Sequence, residues 1–366
     1  MQRGARRLVP VLLILTLCVL PAHHGDAKET ITITDLAERT VQVPADVTRV
    51  VCLAPGSLRL VCYLNKQDLV VGVEEMEKKR PAGRPYWLAN PQLAALPAAG
   101  PGDVGSINAE PDLEALLKVS PDVVFVTYMK PELADSVQKK LGIPIVVLSY
   151  GPFASFDPVV YKSLRLVGKV LKAEERAEEI VSYVEGCRKD LKERTRGIDP
   201  AGKRRVYVGA VGFKGIQGIE STDASYVPLD WVDAKNVARQ WKEKGHLFIN
   251  KEQLLSSDPD VIFVDGGGLT VLKEDMQRKP DFYKGLKAFK TNQVYRLHPF
   301  NWYVVNIGTA VADAYAAGKI LYPDRFADID PAKKADDLYA YLLGKPVYEM
   351  MTRDYGDLGG RITVEH

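Results

Sequence analysis

The sequence predicts an α/β protein of two Rossmann-like lobes, each with a central parallel sheet, joined by a long rigid helix. Three observations lead there. Apolar runs of four or five residues alternate with helical patterns, the same strand-and-helix unit occurs in each half, and one Ala/Glu/Lys-rich helical segment separates the halves. Residues 28–366 also exceed what a single hydrophobic core commonly serves.

Residues 1–27 read as an export leader. Arg3, Arg6 and Arg7 precede an apolar run from Leu8 to Leu20, and Gly25-Asp26-Ala27 supplies small residues for cleavage. The apolar run is too short to span a bilayer. Cys18 invites a lipid anchor, although Leu17 before it is bulkier than such signals prefer. The expected location is the periplasm, with tethering outside the cytoplasmic membrane if Cys18 is lipidated. Loss of the leader takes the formal net charge from +2 to zero, which implies no nucleic-acid partner. Cys52, Cys62 and Cys187 are odd in number and irregularly spaced, so no disulfide framework is expected. Cys52 and Cys62 fall in apolar patterns as small core residues.

A first lobe over residues 28–156 opens with a hairpin, Ile31 to Pro44, whose alternating apolar residues flank a polar turn. Buried strands follow at Val50–Ala54, Leu69–Val73, Val123–Thr127 and Ile145–Ser149, with helices at Ser57–Leu64, Asp112–Val119 and Pro131–Leu141. The run from Asn108 to Val126 shows the unit compactly: a helix start, amphipathic turns, a Ser-Pro-Asp break, then a strand. Asn250 to Val264 repeats it. A helical segment, 157–200, holds the connector Ala173–Arg196, which ends at the breaker Gly197-Ile-Asp-Pro200. The second lobe, 201–327, carries strands Arg205–Val211, Val261–Val264 and Gln293–Leu297 and a helix near Gly308–Leu321. The remainder, 328–366, has an amphipathic stretch Ala335–Leu343 and a wrap-around tail, Tyr348–Gly360, with no chemistry of its own.

In these residues the chain resembles the periplasmic substrate-binding proteins of iron-siderophore, haem and cobalamin ABC importers. The resemblance rests on the opening hairpin, on Asp112-Leu-Glu-Ala-Leu-Leu with Pro121-Asp-Val-Val, on Ala234-Lys-Asn-Val-Ala238, on Lys251-Glu-Gln-Leu-Leu with Pro259-Asp-Val-Ile, and on Asn301-Trp-Tyr. It spans nearly the whole chain beyond the leader. It implies a non-enzymatic receptor without a cofactor of its own, expected to be a monomer, that hands a metal chelate to a membrane permease and its ATPase. The implied ligand is a ferric siderophore-type complex, with a corrinoid or haem as alternatives. By the same resemblance Glu114 and Glu252 dock into arginine pockets of the permease. Each alone also suits an exposed first helical turn, where the helix dipole favours a carboxylate.

Ligands of open α/β sheets collect at the carboxyl ends of the strands. The loops there hold Arg84, Tyr86, Trp87, Tyr128 and Tyr150 in the first half, and Phe213, Lys214, Tyr226, His298, Asn301, Trp302 and Tyr303 in the second. Aromatic rings with polar tips suit a partly apolar chelate, although rings at strand ends also seal sheets. The resemblance singles out Trp302 and Tyr303 as ligand contacts. Tyr86 and Trp87 sit in a Gly/Pro-rich loop where a core role is hard to arrange. Arg84 and Lys214 are candidates to pair with an anionic chelate, set against ordinary solvated charge. Tyr128, Tyr150, Tyr226 and Tyr303 offer phenolates to a bare ferric ion. His298 is either an axial ligand or a hydrogen-bonded loop residue. Histidines 246, 298 and 366 are too scattered for a His-rich zinc or manganese site, so the metal itself is left unassigned.

Gly100-Pro-Gly-Asp-Val-Gly105 fits the dinucleotide pattern literally but follows no strand, and Pro101 makes it a turn. No nucleophile elbow, H-E-x-x-H helix or paired-cysteine motif occurs. An exported hydrolase or metal chaperone on this scaffold is the distant rival.

Overall fold

The computed structural model describes residues 29–79, 82–102, 104–152 and 155–363; the leader with Cys18, and His366, lie outside the described residues. Thr30–Thr34 and Thr40–Pro44 pair antiparallel as the opening hairpin. Asp35 shapes its turn, accepting from the amides of Ala37 and Arg39 at 3.0 Å each, and also from the amide of Val147 at 3.1 Å. Arg39 pairs with Asp35 at 3.1 Å and Asp135 at 2.8 Å, which stitches the hairpin to the first lobe.

The first-lobe sheet is parallel, in the order Val70–Gly72, Val50–Leu53, Val123–Thr127, Ile145–Leu148. The second-lobe sheet is also parallel, in the order Lys235–Asn236, Arg205–Gly209, Val261–Asp265, Val294–Leu297. Counted along the chain within each lobe, both sheets read second, first, third, fourth. Helices cover both faces, so Val123–Thr127 and Val261–Asp265 are buried at every residue.

The repetition reaches single residues. The helix before each third strand, Leu113–Val119 or Lys251–Ser257, is capped by an Asp112 or Asn250 side chain and ends in a left-handed residue, Ser120 or Asp258. The Pro-Asp break then acts as a clamp. Asp122 accepts from the amides of Thr48 at 2.9 Å and Arg49 at 3.0 Å, and Asp260 accepts from the amide of Arg205 at 2.8 Å. Each aspartate amide returns a 2.8 Å bond to the arginine carbonyl, which sets the first strand against the third.

The connector helix, Glu174–Thr195, has 22 residues and so runs about 33 Å. Near its start Arg176 donates to the carbonyls of Tyr63, at 3.3 Å, and Tyr341. Near its end Arg194 pairs with Asp328 at 2.6 Å, and Asp190 accepts from Tyr315 at 2.7 Å. A second long helix, Ile307–Leu321, is buried along almost its whole length because alanines and glycines line it.

The two lobes expected from the sequence are present, and they share part of their core. Each lobe keeps its own cluster on its outer sheet face, but the inner apolar cluster is continuous from Leu60 and Phe125 through Val311 to Phe263. The connector and Ile307–Leu321 both contribute to it, so neither lobe closes its inner face alone. The tail is likewise a strap across both lobes. Its helix Pro331–Leu343 packs on Ile307–Leu321 and on Pro85–Ala89, and Lys345 donates to the carbonyl of Ala89 at 2.8 Å. Beyond Tyr348–Tyr355 the chain runs along the last strand, with the amides of Arg296 and Ile362 donating to Gly360 and Val294 at 2.9 Å each.

A methyl group on Gly318 would collide with the buried Phe326 ring. Gly318→Ala should therefore lose about 1–3 kcal/mol in a urea melt, where an unhindered helix position would gain about 1 kcal/mol.

Candidate ligand site between the lobes

Loops at the carboxyl ends of three first-lobe strands meet the single loop that follows the last second-lobe strand. That loop, residues 298–306, is braced from behind. Asp313 accepts from the amide of His298 at 3.0 Å, and Asn306 donates to the carbonyls of Phe300 at 3.2 Å and Trp302 at 3.1 Å. Asn301 and Val305 form an antiparallel bridge, so the tip folds back on itself. Tyr303 and Val304 both adopt left-handed backbone, with φ of 55° and 57°.

From this tip Tyr303 crosses to the first lobe, where its hydroxyl donates to Glu74 at 2.7 Å and to the carbonyl of Gly102 at 2.6 Å. Glu74 also accepts from the amide of Ala54 at 2.9 Å. In the opposite direction Arg59, on the first turn of the helix Ser57–Tyr63, donates to the carbonyls of Val305 and Tyr303 at 2.8 Å each and of Trp302 at 3.2 Å. The lobes approach so closely that a Cβ on Gly56 would lie 2.6 Å from Val304 and 2.7 Å from Tyr150. Gly56 has φ of 88°, so glycine serves both the turn and the contact.

The seam is thus filled by the chain's own groups. A small space of about 40 Å³ lies within the first lobe beside Ala54, Glu74 and Met129, with no second-lobe residue in its lining. A larger cavity, of about 770 Å³, lies elsewhere, along the connector helix between Glu185, Arg188, Lys192, Asp230, Trp231 and Asp233. It is open, charged and lined by no strand end, so it is a groove behind the seam. Among the described residues no cluster of three or more His, Cys, Asp or Glu side chains is placed to hold a metal ion.

A family model described as periplasmic binding protein matches residues 50–299. The chain belongs to that family. It is 26% identical to the molybdate-binding protein MolA of Haemophilus influenzae, over 89% of this chain and 94% of MolA. It is 23% identical to the uncharacterized ABC transporter substrate-binding lipoprotein YvrC of Bacillus subtilis, over 85% and 94%. MolA bound to molybdate superposes with a TM-score of 0.68 at 22% identity, covering 86% of this chain and 98% of that one. A periplasmic solute binding protein from Veillonella parvula does so with a TM-score of 0.70 at 20% identity, covering 89% and 97%. The protein is therefore a substrate-binding component of an ABC importer, a carrier of ligand to a permease and its ATPase, and not an enzyme. Among the described residues no helix is long and apolar enough to cross a membrane.

In this binding protein several sequence-based expectations meet corrections. Tyr86 and Trp87 are buried, at 1% and 5% exposure, because the expected loop forms short helices at Glu75–Lys79 and Pro85–Ala89 that pack into the core. Arg84 is neither solvated nor open to a chelate. It is buried against Glu77, which also accepts from Tyr86 at 2.8 and 2.9 Å. The Arg84 guanidinium lies 5.7 Å from the Trp87 ring and 6.0 Å from that of Tyr303.

The four tyrosines expected to offer phenolates do not share one point. Tyr150 donates to the carbonyl of Gly56 at 2.9 Å, Tyr303 turns to Glu74, and Tyr226 is sealed behind the loop, donating to Asp265 at 3.3 Å. Tyr128 is half-buried, and burial raises its phenol pKa. His298 is fully buried, hydrogen-bonded to the carbonyl of Gly356 at 2.9 Å, and held down to about 4 by that burial, so it stays neutral in the loop. Phe213 and Lys214 are exposed, the Phe213 ring stacking on His246 at 4.0 Å. Asn301 and Trp302 are half-buried at the tip. Sequence reasoning missed Arg59, Glu74 and Glu77; a charge inside an otherwise apolar helix was the available signal for Arg59, and the charged stretch from Glu74 to Arg80 offered none for the other two.

Burial pushes the Asp265 carboxyl up to about 7, against the Gly267 amide and Tyr226 hydroxyl that favour its ionised form. The folded protein then holds a proton that the unfolded chain, titrating near 3.8, has released. Stability should fall as pH rises from about 4 through 7. Urea melts at pH 5 and pH 8 (about these values) should show that loss in the wild type and a smaller one in Asp265→Asn. Asp313, Asp223, Asp230 and Glu77, also pushed up by burial, contribute to what remains.

Proposed function

We propose that this receptor carries a compact metal oxyanion, of the molybdate kind, between its lobes. The observation that supports the reading is the tightness of the seam, where a Cβ on Gly56 would lie 2.6 Å from Val304 and the Tyr303 hydroxyl reaches Glu74 at 2.7 Å. A drug-sized chelate needs roughly 300–1,000 Å³, whereas a compact anion needs only a small parting of the lobes. The molybdate named for the Haemophilus relative supports the same class of cargo. A ferric siderophore-type chelate is the second reading, favoured by the rings of Trp87, Tyr128, Tyr150, Trp302 and Tyr303 gathered at or near the seam. Haem or a corrinoid draws no support from His298, which is engaged with Gly356.

Glu114 and Glu252 are proposed to dock on the permease. Both are exposed, and both occupy the second position of equivalent helices in the repeated unit. One turn after each stands an exposed leucine, Leu117 at 52% and Leu255 at 39%. An exposed leucine beside a carboxylate in both repeats is what a surface buried against a partner would display.

Sodium molybdate, a ferric siderophore, haem and cobalamin should be compared by thermal shift, since a ligand at 100 times its Kd adds about 2.7 kcal/mol to the native state. Molybdate is expected to raise Tm. A shift with the siderophore alone would overturn the oxyanion reading in favour of the second. Charge reversal at both glutamates, E114K with E252K, should abolish uptake in cells and leave ligand affinity intact; retained uptake discards the docking assignment.

A further inference from the structure

Arg59 differs from the other buried arginines. Arg39 and Arg84 each face a carboxylate, Asp35 or Glu77. Arg59, with 0% exposure, donates to three neutral carbonyls of the opposite lobe and also meets the Tyr150 hydroxyl, and Glu77, the carboxylate that feels its charge, is already paired with Arg84. Its Nε is buried with no partner, and so is the indole Nε1 of Trp302. The rings of Tyr86 and Tyr150 lie 4.9 and 5.8 Å from the guanidinium and hold it in place. A buried charge ordinarily sits with an opposite charge, because desolvation is costly and a neutral acceptor compensates poorly.

The carbonyls that stand opposite Arg59 come at a conformational cost. They lie on the turn where Tyr303 and Val304 are both left-handed, with φ of 55° and 57°. For a β-branched residue such as valine this conformation is an outlier that persists only when its surroundings impose it.

We infer that the Arg59 fork is the anion-recognition group of the seam, and that oxygens of the incoming ligand take the places of the carbonyls of Trp302, Tyr303 and Val305. This rests on the reading of the seam as the solute site, and it names the ligand's chemistry: at least two oxygens of an oxyanion or carboxylate in one plane. A charged oxygen makes roughly twice as strong a hydrogen bond to a guanidinium as a neutral one. Exchange of carbonyl for anion also frees the turn to leave its strained conformation. Trp302 Nε1 supplies a further donor on the same tip. Ligand entry and release of the latch between the lobes are then one event.

The test uses the full chain and isothermal titration with two probes, sodium molybdate as a bare oxyanion and ferric citrate as a carboxylate chelate. Arg59→Gln should weaken binding of whichever probe the wild type takes by about 100-fold or more. Arg59→Lys keeps the charge but loses the planar fork, and should cost about tenfold. Trp302→Phe keeps the test open if the arginine variants fail to fold: it removes the second donor from a half-buried tip and should weaken the probe by about three- to tenfold. If wild type binds a probe and Arg59→Lys and Trp302→Phe bind it equally well, Arg59 is only a strut and the inference falls. If wild type binds neither probe, the anionic-cargo reading itself falls, and the inference with it.

Discussion

A helix with almost no wet face organises the molecule. Ile307–Leu321 is enclosed by the connector, the tail helix Pro331–Leu343 and the short helix Val227–Trp231. Side chains as small as Gly308, Ala310, Ala314 and Gly318 allow these neighbours to close in, with Leu342 and Phe326 filling the space over the two glycines. Its first turn also receives the first lobe, since the Tyr63 hydroxyl meets the amides of Ile307 and Gly308. The loop that enters it is fixed by Asp313 of the same helix at His298 and by its own last residue, Asn306, at Phe300. The tip bearing Trp302 and Tyr303 is thereby held rigidly towards the first lobe.

That rigidity explains why the seam is asymmetric although the lobes repeat one topology. Each lobe uses the same Pro-Asp clamp and the same order of strands, yet the bonds that cross near the strand ends converge on one loop of the second lobe. The partner groups of the first lobe are dispersed over Ala54–Arg59, Glu74 and Gly102. Parting of the lobes at this end therefore breaks a few concentrated hydrogen bonds, while the shared inner core and the connector, tied by Arg176 and Arg194 near its two ends, hold the lobes together.

The repeated architecture was legible because it rests on local signals. Apolar runs marked the buried strands, and the helix Pro131–Leu141 and the connector agree with expectation to within a residue at each end. The site was less legible, for reasons of distance and context. Arg59 is separated from Val305 by 246 positions and sits in an apolar helix whose pattern says only that it is buried. Arg84 and Tyr86 looked like loop residues because their partner, Glu77, belongs to a five-residue helix too short for any periodicity to register. His298 and Tyr226 were chosen for their chemistry at strand ends, and the tail that seals His298 through Gly356 carries no sequence sign of its destination. Trp302 and Tyr303 lie on the tip that crosses to the first lobe, in the stretch to which the resemblance points.

On the second-lobe side, the acceptors facing Arg59 are peptide oxygens and not side chains. Main-chain atoms are present whatever residue occupies a position, so Trp302, Tyr303 and Val305 can be exchanged for others during evolution without erasing the acceptor array. Changes in the side groups of the tip can thereby alter what the seam admits while the bonds from Arg59 to its backbone stay in place.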